Sequence, residues 1–191
     1  MHVIYVPGLG DDNPKGQERV VSTWRWWGVE AELFQIKWSD QEPWESKFDR
    51  LLNRIDELLA QNMQVGLVGA SAGGSAAINA YAARKNDIVG VVCIAGKINR
   101  PELIGGSYRK KNPAFVTSVE GCISALKSLD DKDRAKILSR YAYKDEIISK
   151  ADSVILGAKN QTVPIIGHVP IIATQIVFGA PTFLRFLKKL A

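Results

Sequence analysis

"VGLVGASAGGSAAINAYA" (Val65–Ala82) runs an apolar strand into a cluster of glycines and then into an alanine-rich helical pattern, with Ser71 at the corner. The run fits Gly-X-Ser-X-Gly as Gly69, Ala70, Ser71, Ala72 and Gly73, with Gly74 following. A strand that turns abruptly into a helix forces the central residue into an unfavourable backbone conformation and lifts its side chain above the sheet. Small residues two before and two after let neighbouring backbone pass closely. The helix that starts just past Ser71 aims free backbone N–H groups at the space over the hydroxyl, and that of Ala72 is then one donor to an oxyanion. Read more plainly, the stretch is a tight connection in which Ser71 is only an N-cap. The rest of the chain decides between the two.

Short apolar runs alternate with helical patterns along the whole sequence. "HVIYVPG" predicts a strand ending in a turn, and "NPKGQERVVSTWRWWG" a helix with Val20, Trp24 and Trp27 on one face. "VEAELFQIKW" is the second strand, and "PWESKFDRLLNRIDELLAQ" an amphipathic helix with Leu51, Ile55 and Leu58 at helical spacing. "QVGLVG", "DIVGVVCIAG", "KILSRYAY" and "DSVILGA" give four more strands, for six in all. The closing helix, "PIIATQIVFGAPTFLRFLKKL", is expected to bend or break at Gly179 and Pro181. Near-continuous Val/Ile/Leu strands separated by helices indicate an α/β fold, with a mostly parallel sheet covered on both faces. No repeat or composition shift divides the 191 residues, so one domain over 1–191 is expected. In such sheets chemistry gathers at the carboxyl ends of the strands.

That rule selects partners for Ser71. A serine hydroxyl needs a base, and the chain has two histidines. His2 opens the first strand at the amino edge, whereas His168 follows the last strand from the carboxyl edge. The base needs an acid to fix its tautomer. Asp145 and Glu146 close the strand "KILSRYAYK"; Asp145 is the choice and Glu146 the lesser one. Asp130, Asp131 and Asp133 precede that strand. Asp152 is expected to open the next strand, also at the wrong edge.

With an elbow serine, then an acid, then a histidine in that order, the chain resembles a small α/β-hydrolase, and the likeness runs from first strand to last helix. It is most similar to compact, short-lidded serine hydrolases. The resemblance implies that the chain starts at the family's third strand, without the usual opening strands. It also implies a second oxyanion donor in the loop "VPGLGDDNPKG", where the N–H of Leu9 is the match. Ala70 departs from the pattern, since many members carry histidine or another polar residue before the nucleophile. Residues 97–113 occupy the lid position and are short and polar, which implies an open site. Ser107 or Tyr108 is expected to reach substrate from there. Trp38 and Trp44 flank "SDQEP" at the carboxyl edge and form either a pocket rim or ordinary packing.

Other classes find less support. The net charge of +5 is mild, and "YRKKN" and "LKKLA" are too short to argue for nucleic acid. Gly8-Leu9-Gly10 lacks the third glycine of a dinucleotide loop, because Asn13 stands there, and Asp11 and Asp12 oppose a pyrophosphate. These two aspartates read as a solvated loop with a helix cap rather than a cation site. Neither metal nor cofactor is expected. Cys93 and Cys122 are unclustered and suit a reducing compartment, and neither a leader before the first strand nor a membrane-spanning segment is expected. A cytoplasmic protein acting on a small acyl substrate is the expectation. The reading is a serine hydrolase cleaving a carboxylic ester, thioester or amide through an acyl-enzyme on Ser71. The alternatives are a binding module with weak turnover and, less favoured, a nucleotide-binding α/β protein.

Overall fold

The computed structural model describes residues 1–191, the side chain of Lys15 excepted. Six strands form one sheet in the order β2-β1-β3-β4-β5-β6: β1 (His2–Val6), β2 (Glu30–Leu33), β3 (Val65–Ala70), β4 (Ile88–Ile94), β5 (Ile137–Lys144) and β6 (Lys159–Ile166). Every neighbouring pair is parallel. The central strands are buried on both faces, and their side chains divide by alternation. Ile4, Val6, Leu67, Val91 and Cys93 point to one core, and Val3, Tyr5, Val68, Val92 and Ile94 to the other. The first core is covered by α2 (Trp44–Ala60), α3 (Ala72–Ala83) and α5 (Pro113–Ser128). The second is covered by α1 (Lys15–Ser22) and by the C-terminal helix.

The chain leaves β1 toward β2 on one side and returns to β3 on the other. The carboxyl ends of β1 and β3 therefore border the crevice where strand order reverses, the usual ligand position in open parallel sheets. The 97–113 segment holds a 3₁₀ turn (Pro101–Leu103) and a short helix, α4 (Gly106–Lys111).

Four expectations change. The sixth strand is not "DSVILGA" but "KNQTVPII", with α6 (Asp131–Ala135) and α7 (Lys150–Ser153) as the short helices flanking β5. Asp152 sits in α7, where Ser149 and Asp152 form a reciprocal capping box, and Gly157 turns at φ +82° before the strand begins. As an edge strand with one exposed flank, β6 carries polar residues and Pro164, which an interior strand would not tolerate. The third tryptophan of "TWRWW" is not in the core: Trp24 is buried, and Trp27 is half-exposed on a 3₁₀ turn. Asp11 is buried rather than solvated. The last helix does not end at Gly179 or Pro181, though its regular winding is interrupted there. It runs from α8 (His168–Thr174) through a π-turn (Gln175–Gly179) into α9 (Ala180–Lys188), and the wider turn absorbs the N–H that Pro181 lacks. At 21 residues this helix is long and apolar enough to cross a membrane. Its apolar residues have a use in the fold, since Ile171, Phe183, Leu184 and Leu187 are buried in the second core.

Candidate active site

The corner at Ser71 is built by close backbone packing. Ser71 takes φ 51° and ψ −119°, a conformation that L-residues avoid and that surrounding structure must enforce. A β-carbon on Gly69 would lie 2.3 Å from the Gly73 carbonyl oxygen, and one on Gly73 would lie 2.0 Å from that of Val6. Only glycine allows β1, the elbow and α3 to meet this closely. The Ser71 N–H donates to the Ile94 carbonyl at 2.9 Å, which ties the corner to β4.

His168, the first residue of α8, places Nε2 3.0 Å from Ser71 Oγ and Nδ1 2.9 Å from Asp145 Oδ2. The other Asp145 oxygen accepts the N–H groups of Ile147 and Ile148, both at 2.8 Å, so the carboxylate cannot swing away. Both side chains of this pair are almost completely buried, at 7% and 4% exposure. The structure thus brings together Ser71, Asp145 and His168, drawn from three separate strand ends. Glu146 has a different place. Its carboxylate accepts the backbone N–H of His168 at 3.1 and 3.2 Å and so anchors the N-terminus of α8. His2 stays at the opposite edge, between Glu30 and Glu32.

Leu9 and Ala72 flank the serine. Gly8 abuts Ser71, with 2.8 Å between their β-carbon positions. Ala72 is the first residue of α3, so its N–H has no intrahelical acceptor. The loop carrying Leu9 is tied down by Asp11. That carboxylate accepts the N–H groups of Lys37 and Trp38 at 2.8 and 3.1 Å, while burial pushes its pKa up against the lowering effect of those bonds. Trp38 donates its indole N–H to the Pro7 carbonyl at 3.1 Å and stacks on Trp44 at 5.9 Å. Both tryptophans are buried in the first core and are absent from the cavity wall. Packing, not a rim, is their role.

Ser71 opens into a cavity of about 710 Å³. One wall is formed by Tyr5, Gln17, the α8 side chains Ile172 and Ala173, and Ile176 of the π-turn. Tyr5 donates its hydroxyl to Gln17 Oε1 at 2.8 Å, and burial pushes its pKa up. The opposite wall is the lid segment, through Leu103, Ile104 and Tyr108. Ser107 does not line it. That side also carries Lys97, Arg100 and Asp152, three charged residues the sequence reading did not assign to the site. Nothing in their spacing announces them, because Asp152 stands 55 residues from Lys97 and was expected at the other sheet edge. Among the described residues, no group of three or more His, Cys, Asp or Glu side chains is placed to hold a metal ion.

No family model matches the chain, and no curated protein matches it. Solved structures do. The chain is similar to a structure described with LipS and LipT, two metagenome-derived lipolytic enzymes, at TM-score 0.72 and 11% identity over 98% of this chain and 94% of that one. It is similar to the monoacylglycerol lipase of Paleococcus ferrophilus, at TM-score 0.66 and 13% identity over 100% and 95% of the two chains. Est1E from Butyrivibrio proteoclasticus gives TM-score 0.69 and 15% identity over 99% and 87%. The fold is that of the α/β-hydrolases. At these identities the likeness defines the fold, and the chemistry has to be argued from the residues.

Proposed function

We propose that the protein is a serine hydrolase that cleaves a carboxylic ester of a small acyl substrate through an acyl-enzyme on Ser71. One observation carries the reading: Ser71 Oγ, both nitrogens of His168 and Asp145 Oδ2 form a continuous hydrogen-bonded relay, at 3.0 and 2.9 Å, inside a cavity. Ser71 Oγ attacks the ester carbonyl carbon while His168 Nε2 takes its proton. Asp145 accepts the Nδ1–H, holds the required tautomer and stabilises the imidazolium that forms. The N–H groups of Leu9 and Ala72 receive the negative oxygen of the tetrahedral intermediate. Collapse expels the alcohol, which leaves with the proton from His168. Water, deprotonated by the same imidazole, then attacks the acyl-serine; the Oγ–acyl bond breaks, the acid leaves, and His168 returns the proton to Ser71 Oγ. The solved structures of the same fold include a lipase and other lipolytic enzymes, which favours an ester over a thioester or amide.

A fluorophosphonate probe tests the assignment. The folded protein is expected to label at Ser71, located by peptide mass, and Ser71→Ala to abolish both labelling and hydrolysis of 4-nitrophenyl butyrate. Failure of the folded wild-type protein to label, or labelling that survives Ser71→Ala, overturns the reading.

A further inference from the structure

The lid-side wall of the cavity holds more positive charge than the ester chemistry requires. Lys97 is 5% exposed, and its backbone N–H donates to the Ser71 carbonyl at 3.1 Å, so it is fixed directly beside the nucleophile corner. Its ammonium donates to Asp152 Oδ1 at 2.5 Å. Arg100 grips the same carboxylate, Nε to Oδ1 at 3.0 Å and Nη2 to Oδ2 at 2.9 Å, and Nη2 also donates to Ser149 Oγ. The N–H and hydroxyl of Ser149 complete the set on Oδ2, at 3.1 and 2.8 Å.

Asp152 is therefore saturated by two cations and a serine. Burial would push its carboxyl up, but the hydrogen bonds from Arg100, Lys97 and Ser149 outweigh that and hold it below the usual range. The cations are not saturated in return. A buried ammonium has three N–H donors, and among the described residues only one finds an acceptor; Arg100 Nη1 finds none. Two cationic side chains against one carboxylate leave an excess of one on this wall. The other charged groups of the cavity, Asp145 and Glu146, are committed to His168, through its ring and its backbone N–H. Arg100 is also held at φ +55°, a left-handed conformation costly for arginine and retained here by the fixed loop.

We propose that Lys97 and Arg100 form an anion subsite of this cavity, and that the ester substrate carries a carboxylate or a phosphate on the part that lies against the lid. The inference rests on the ester-hydrolase reading for the identity of the substrate, though not for the existence of the subsite. Asp152 holds the two cations side by side, Lys97 on Oδ1 and Arg100 on both oxygens. An anion there receives the spare donors of both, and charge-assisted hydrogen bonds of this kind discriminate strongly against a ligand that lacks the charge.

Two matched pairs of substrates test it: 4-nitrophenyl hemisuccinate against 4-nitrophenyl butyrate, and butyryl glycerol 3-phosphate against butyryl glycerol. The readout is the ratio of kcat/KM, anionic over neutral. At least one ratio is expected to exceed unity by roughly tenfold, and the pair that shows it tells whether carboxylate or phosphate is the group. Arg100→Gln should lower that ratio on the order of 10- to 100-fold, Arg100→Lys should recover part of it, and added salt should lower it in the wild-type protein. Neutral esters preferred in both pairs, or a preference that survives Arg100→Gln in folded protein, overturns the subsite. If no ester is turned over, calorimetry of succinate monomethyl ester and of glycerol 3-phosphate separates the two readings. Binding that Arg100→Gln weakens keeps the subsite and rejects the hydrolase, whereas no binding rejects the subsite as well.

Discussion

Gly73→Ala tests how tightly the elbow is built. The new β-carbon would stand 2.0 Å from the Val6 carbonyl oxygen and 2.7 Å from that of Pro7. Both obstacles are backbone, so no side chain can rotate away. Contacts of this kind are essentially never shorter than 3.0 Å, so β1 and the start of α3 must part by about 1 Å. Val6 and Pro7 lead into Gly8 and Leu9, and Gly73 follows Ala72, so the movement separates the two N–H groups proposed to receive the oxyanion. A misplacement of about 1 Å costs on the order of 100-fold in rate, comparable with losing one oxyanion donor. Forcing a methyl group into a closed site costs roughly 1–3 kcal/mol, which is about 2–4 °C of Tm per kcal/mol for a chain of this size. The measurements are kcat on 4-nitrophenyl butyrate, the rate of fluorophosphonate labelling, and Tm by circular dichroism. Gly16→Ala in α1 is the control, because a β-carbon there meets nothing within 4 Å and should leave Tm unchanged or raise it. A Gly73→Ala protein with wild-type kcat and Tm would refute the account of the corner.

Asp145→Asn keeps the shape of the relay but offers His168 Nδ1 an amide in place of a carboxylate, so kcat should fall by about 10³–10⁴-fold with little change in Tm; a fall below tenfold would remove Asp145 from its role. Acid stability depends on Glu32. Burial alone would push its carboxyl up, but hydrogen bonds from Arg54 Nε and Nη2, at 2.7 and 2.8 Å, and the His2 ring 3.4 Å away hold it at about 2. A folded value below the ordinary 4.5 means stability that is complete above that pH and is lost as pH falls toward 2. Arg54→Gln should flatten the decline of Tm between pH 4.5 and 2 relative to wild type, and an unchanged slope would show the pair contributes nothing.

What the sequence made legible follows from how local each constraint is. The elbow is written in six consecutive residues, because the glycines at 69 and 73 are demanded by backbone that the same motif brings together. Asp145 and His168 lie far from Ser71 in sequence, yet both follow strands whose apolar runs identify their carboxyl ends. Elimination by sheet edge then brings both to the edge that carries Ser71. The sixth strand failed that test. Central strands declare themselves by continuous Val/Ile/Leu because both faces are buried, but β6 is an edge strand and its polar residues read as loop. Asp152 shares the difficulty: the apolar run after it reads as a strand and puts it at the amino edge, whereas in α7 it turns toward the carboxyl side and meets Lys97 and Arg100.

The pair Asp11-Asp12 shows the same limit on the scale of one turn. Adjacent like charges in a glycine-rich loop suggest a solvated segment, and Asp12 fits this, exposed and bonded to Ser39 at 2.6 Å. Asp11 faces the other way, and its carboxylate takes two backbone N–H groups beyond the end of β2, at Lys37 and Trp38, where the parallel ladder with β1 has already ended. Trp38 then reaches back to the Pro7 carbonyl. Burying a carboxylate is costly unless it is hydrogen-bonded, so these contacts make sense as a fixture: they hold the segment that carries Gly8 and Leu9 beside Ser71. An oxyanion donor works because it is already in place when charge develops. In the proposed mechanism the buried aspartate and the stacked tryptophans, far from lining a substrate pocket, keep the loop that carries Leu9 from moving when that charge appears.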